Sequence, residues 1–222
     1  MWFFLLVFKL YAATPECFEN VQTNTLQYLE KNQILEKEIL TRLIFAEGIS
    51  TNYFAHEDCR EKGSHIFEAI AWGVMSRVRM SEHDKSWAHK YGKGIKGVIF
   101  KKNQFNPAIS LKSRFHHLFM CPSLDGQFKK HWQWAQAAAN TAMNNSAHSP
   151  FIQSKWEKEN SVSLVSHFYY PLSTQATKSY PDWADRKKNR RYIVPELKIR
   201  DKYISQNCIL FYRHEKPIRK NK

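Results

Sequence analysis

Apolar residues recur at helical spacing along three stretches of the chain and cluster as β-branched and aromatic runs along two others. Over residues 33–47, Leu35, Ile39, Leu40, Leu43, Ile44 and Ala46 fall at steps that put them on one face, which predicts an amphipathic helix. Residues 64–79 predict a second, with Phe67, Ile70, Ala71, Val74, Met75 and Val78 as its stripe. Residues 128–143 predict a third, carrying Trp132, Ala135, Ala139 and Ala142. The polar stretch 48–63 between the first two reads as a long loop. The segment 94–105 opens on the apolar run Gly97-Val98-Ile99-Phe100 and closes in a turn at Asn103 to Pro107. Residues 162–170 and 208–212 read as strands. The expected fold is therefore α+β, a helix-dominated domain with a small antiparallel sheet.

Composition narrows the class. In 222 residues, 43% are hydrophobic and 14% aromatic, enough apolar surface for a real core. Seven Gly, eight Pro and no fixed-period repeat exclude collagen-like, solenoid and low-complexity chains. The net charge is +14, and +9 of it lies in the last 38 residues, which hold 13 Lys plus Arg against 4 acids. Such a field attracts polyanions: nucleic acid, anionic lipid or an acidic cell wall polymer. The plainer reading is a solvated face that aids solubility.

Residues 1–13 form a short apolar segment, Trp2 to Phe8 and then Leu10 to Ala13, ahead of Thr14-Pro15. It is too short to span a bilayer and fits a secretory signal cut after Ala12 or Ala13; the alternative is an apolar element packed on the core. Residues 14–32 then read as an N-terminal extension, 33–213 as the main domain and 214–222 as a basic tail. Cys17, Cys59, Cys121 and Cys208 make an even set suited to an oxidising compartment, with three pairings open. Four buried thiols are the alternative. No metal or cofactor motif appears: the 10 His lack paired ligand spacing, and no Gly-rich phosphate loop is present.

The most informative residue is Glu47. It stands on the apolar stripe of the first helix, where an ionised carboxylate is costly and a raised pKa is the usual relief. Gly48 follows and reads as the helix end, which would set Glu47 at the negative pole of the macrodipole and favour its neutral form further. A carboxylic acid kept neutral near pH 7 can protonate the leaving oxygen of a glycosidic bond. A glutamate bent to solvent, or paired with a neighbour such as Arg77, is the structural alternative.

Several blocks, in order, carry a resemblance. Thr41-Arg42-Leu43-Ile44-Phe45-Ala46-Glu47 comes first, then Glu68-Ala69-Ile70-Ala71-Trp72-Gly73-Val74-Met75-Ser76-Arg77-Val78. Gly94-Ile95-Lys96-Gly97-Val98-Ile99-Phe100 leads to Gln104-Phe105, and Trp134-Ala135-Gln136-Ala137-Ala138 follows. Ser166-His167-Phe168-Tyr169-Tyr170-Pro171, Pro181-Asp182-Trp183-Ala184 and Ile209-Leu210-Phe211-Tyr212 complete the set. Over residues 34–212 the chain resembles the cell wall hydrolase family of the spore cortex-lytic enzyme (SleB type). The resemblance implies a lysozyme-like, lytic-transglycosylase-like fold acting on peptidoglycan glycan strands, with Glu47 as the catalytic acid.

The chain also departs from that pattern. Thr51 stands where the family commonly has a second acid, Ser76 replaces an Asn, and Ile66-Phe67 replaces a Gly-Gln pair. Glycoside hydrolysis generally uses two carboxylates, whereas a lytic transglycosylase works with one. Glu57, Asp58 and Glu61 in the 48–63 stretch are candidates for a second acid. Gln104 is a candidate for binding an N-acetyl group or the reacting acid, or else a turn residue. His167 and Tyr169 alternate with Phe168, so they share a strand face, which the resemblance places along the cleft; the alternative is a capped pair at the core edge. Trp72 and Trp183 are candidates for stacking on sugar rings, or else core residues. The expected partners are peptidoglycan and anionic wall polymers, reached by export to the periplasm or cell exterior, with no nucleic acid expected and no transmembrane helix once the signal is cut. A catalytically inactive wall-binding protein on the same scaffold is the competing function.

Overall fold

The first long apolar stretch folds as the central helix of a computed structural model that describes residues 15–18, 34–54, 59, 63–145, 148–171, 184, 187, 190–194, 197–200 and 202–214. This helix, α1 (Glu36–Phe54), is buried on every side from Ile39 to Ser50. It is held between α2 (Gly63–His83), α6 (His116–Met120) and α7 (Gln127–Asn144). A helix enclosed this way must satisfy each of its polar side chains within the protein. Thr41 bonds back to the Lys37 carbonyl at 2.7 Å. Arg42, fully buried, donates to Glu38 through Nε and Nη2, to the carbonyls of Phe119 and Met120 through Nη1, and to the Glu16 carbonyl through Nη2. These five bonds match the five N–H donors of a guanidinium. The Phe18 ring lies 3.6 Å from its carbon, so Arg42 ties the 15–18 segment and the end of α6 to α1.

Smaller helices follow: α3 (Lys85–Tyr91), α4 (Gly94–Ile99), α5 (Asn106–Ile109) and, after α7, α8 (Lys155–Asn160). Strand β1 (Val165–Tyr169) pairs antiparallel with β4 (Leu210–Arg213), Phe168 facing Phe211 in register. Between them, β2 (Leu197–Ile199) pairs antiparallel with β3 (Lys202–Ile204). The protein is thus a helix-dominated α+β fold with small antiparallel sheets. At Gly73 on α2 an added Cβ would lie 3.2–3.3 Å from Phe168 and Phe211, so the glycine lets the β1–β4 pair close onto α2. Among the described residues no helix is long and apolar enough to cross a membrane.

A buried ion pair fastens α8 to this sheet. Glu157, fully buried, accepts from the N–H groups of Ser154 and Leu164 and pairs with Arg213 of β4 at 3.0 Å. Burial alone would raise its pKa, but the backbone donors and the guanidinium more than offset that and hold it below the ordinary value. The four cysteines are paired as Cys17–Cys121 and Cys59–Cys208, closing spans of 104 and 149 residues, so none is a free thiol.

Several expectations change. The first helix does not end at Gly48 but runs on to Phe54. Gly48 is there for contact: an added Cβ would sit 2.6 Å from the Phe67 ring. The macrodipole argument for Glu47 falls with that correction, because the residue stands inside the helix. Nor is 48–63 one loop, since α1 takes its first part and α2 begins at Gly63. The run at Gly97, to which the sequence assigned no class, is helical, within α4. Leu35, assigned to the buried stripe, is 71% exposed just ahead of the helix. The signal segment 1–13, the candidate acids Glu57, Asp58 and Glu61, Trp183 and nearly all of the 214–222 tail lie outside the described residues.

Arg42→Met leaves the half-buried Glu38 and three backbone carbonyls, those of Phe119 and Met120 buried, without their donor. Urea denaturation of the oxidised protein should show a loss of about 3–5 kcal/mol; a loss under about 1 kcal/mol would contradict the central role given to this side chain.

Candidate functional site

Glu47 reaches the sheet side of the core from α1 and is 7% exposed. The Tyr170 hydroxyl, one residue past β1, donates to its Oε2 at 3.0 Å. Burial pushes the Glu47 carboxyl up to about 7, while that hydrogen bond and the charge of Arg77 pull it back down. Near neutral pH the acid is therefore poised between its two forms.

Arg77 comes from α2 and is itself buried. Its Nε donates to the carbonyl of Ser166 on β1, and its Nη1 to Gln104 Oε1 at 2.7 Å. The Phe105 ring lies 4.5 Å from the guanidinium carbon, and the rings of Tyr91 and Phe168 lie at 6.0 Å. Burial lowers its pKa to about 10, with Tyr91 and Glu47 acting in the opposite direction, so it stays charged at neutral pH. A fixed cation near a buried carboxyl has a definite chemical effect. It does little for the neutral acid and stabilises the carboxylate left once a proton has gone.

Behind Arg77 lies a second polar group. The Tyr91 hydroxyl and the Lys90 ammonium, at 3.4 Å, both meet His214 Nε2. His167 Nδ1 bonds the Ser166 hydroxyl at 2.7 Å, and the two imidazoles lie 5.5 Å apart. Burial, then Arg77, His214 and Lys90, lower His167 to about 2; burial, then Lys90 and Arg77, lower His214 to about 4. Both rings are neutral at physiological pH, so neither supplies a proton there.

The candidate residues thus separate. Gln104 belongs to the group around Glu47 through Arg77. His167 and Tyr169 do share a strand face, but the group at Glu47 draws on the opposite one. Phe168 packs near Arg77 and Tyr170 meets Glu47, whereas His167 joins His214, and Tyr169 joins a small cluster with Ala184, Leu210 and Tyr212. Trp72 is 1% exposed and sits five positions from Arg77 along α2, about 140° around the helix. Tyr170 was missed, although the strand alternation already pairs it with Phe168. The other buried acids of the described residues are engaged elsewhere, Glu68 with Arg200 and Glu157 with Arg213. Among the described residues no three His, Cys, Asp or Glu are grouped to hold a metal ion.

Comparison with protein-family models, with curated proteins and with solved structures finds no match to this chain.

A carboxyl whose pKa is raised on folding contributes its full stability below its unfolded value of 4.5, and that contribution is lost as pH rises through about 7. Glu47→Gln cannot titrate. Its stability relative to the unaltered protein should climb with pH between 4.5 and 8, by up to about 3 kcal/mol. Thermal melts across that range check this, and a pH-independent difference would contradict it.

Proposed function

We propose that this chain is an exported enzyme that cleaves the glycan strand of peptidoglycan, with Glu47 as its acid. The observation that carries the reading is a carboxyl buried in an enclosed helix, with a pKa of about 7, a hydroxyl donor at 3.0 Å and a buried cation close by. The ordered sequence blocks that resemble the SleB-type cell wall hydrolases point to the same residue. Two disulfides suit an oxidising compartment, and a net charge of +14 suits residence on an anionic wall.

The chemistry follows from the poise of the acid. Protonated Glu47 gives its proton to the bridging oxygen as the bond from that oxygen to the sugar C1 breaks. The carboxylate that results is stabilised by the Tyr170 O–H and by Arg77. It then takes the proton of the muramoyl 6-hydroxyl while that oxygen bonds to C1. The products are a 1,6-anhydro end and a free 4-hydroxyl, no water is consumed, and Glu47 regains its proton. One carboxyl serves both steps, as a raised pKa allows. A hydrolase using Glu57, Asp58 or Glu61 as a second acid would instead release reducing ends.

The second reading, an inactive wall-binding protein, draws on one observation: Gln104 and Arg77 bond each other, as structural partners would. It predicts salt-sensitive sacculus binding that Glu47→Gln leaves intact, and no muropeptide release by the unaltered chain.

Release of muropeptides from purified sacculi should fall by about 10²–10⁴-fold in Glu47→Gln. Mass spectrometry of fragments from the unaltered enzyme should find anhydro ends. For an acid with a pKa of about 7, kcat/KM should fall about tenfold per pH unit above neutrality. Because the Tyr170 hydrogen bond lowers that pKa, Tyr170→Phe should shift the alkaline limb to higher pH. Full activity in Glu47→Gln would overturn the assignment.

A further inference from the structure

On the other side of α2 from Arg77 lies a cavity of about 420 Å³, within the usual range of ligand pockets. Buried Trp72 and Glu68 line it from α2, one turn apart. Exposed Asn145, His148 and Arg200 line it towards solvent. Two polar groups there keep bonding capacity to spare: the Glu68–Arg200 pair and the Trp72 indole. Arg200, in the two-residue connection between β2 and β3, holds a φ of 56°, the left-handed conformation that a tight hairpin turn requires and that glycine adopts without strain. Its guanidinium meets Glu68 through a single contact, Nη2 to Oε2 at 3.1 Å. Glu68 Oε1 and the Nε and Nη1 of Arg200 have no hydrogen bond among the described residues, nor does the buried Trp72 Nε1.

A paired carboxylate and guanidinium, each with a bonding edge to spare, are complementary to a molecule carrying an ammonium and a carboxylate side by side. An α-amino acid has that arrangement, one carbon separating the two charges. We infer that this cavity binds a free α-amino acid with an apolar side chain, its carboxylate on Arg200, its ammonium on Glu68, and its side chain against Trp72, Pro150 and Ile199. A neutral sugar would desolvate both charges without replacing their water, which is unfavourable. An amino acid capped at both ends would do the same.

Isothermal titration of the full, oxidised chain with racemic leucine or phenylalanine tests this. Saturable binding is expected, weakened at least tenfold in Glu68→Gln and in Arg200→Gly, and absent for N-acetyl-phenylalanine amide and for N-acetylglucosamine. Arg200→Gly relieves the backbone strain, so a folding defect would not account for its loss of binding. Absence of binding by either free amino acid would overturn the inference. So would equal binding of the capped compound, preference for the sugar, or full affinity in both variants. The readout does not involve glycan cleavage, so its failure and that of the Glu47 assignment are separable.

Discussion

The enclosure of α1 sets the terms for the rest of the molecule. From Ile39 to Ser50 no side of the helix meets bulk water, yet the segment carries Thr41, Arg42, Glu47 and Ser50. Charged groups in such a place are tolerated only when the surroundings supply what water would have supplied. For Arg42 the supply matches the demand, with five acceptor contacts for five donors. For Glu47 the compensation is incomplete, and the shortfall appears as a pKa of about 7. The same enclosure that makes one residue a structural tie leaves the other chemically poised.

Much of this fold was legible from spacing. The three long helices and both strands of the β1–β4 pair were found in the right places, because their apolar periods are unbroken over several turns or residues. The errors come from contacts and lengths that periodicity does not report. A stripe at steps of three and four predicts one buried face, whereas α1 is buried all round; spacing carries no sign of this because Arg42 and Glu47 there also rely on partners far along the chain. Gly48 was misread for a related reason. A glycine after a run of apolar residues usually ends a helix, but here it makes room for Phe67, nineteen positions away. The short helix at Gly97 was obscured by its length, since six residues carry too little periodicity to declare a class.

The candidate site was legible in part and for a weaker reason. Glu47 stood out as a carboxylate among apolar neighbours, a local signal. Tyr170 and Arg77 become its neighbours only through the packing of β1 on α2, where Gly73 admits Phe168 and Phe211. Alternation along the strand separated the faces correctly, yet it could not say which face meets the helix. Tyr169, next to Phe168, was therefore taken for the cleft residue and Tyr170, two away, was passed over. Burial does opposite things at the two ends of this constellation: it keeps the imidazoles of His167 and His214 neutral and inert while it brings the Glu47 carboxyl into the working range.

Direct titration of that carboxyl bears on this account more than any other measurement. Carbon-13 NMR of the protein labelled at the glutamate side-chain carboxyl, with Glu47→Gln used to assign the resonance, follows its ionisation without reference to any substrate. An inflection near pH 7 is the predicted result. An inflection near 4.5, the ordinary value for a solvated glutamate, would contradict it.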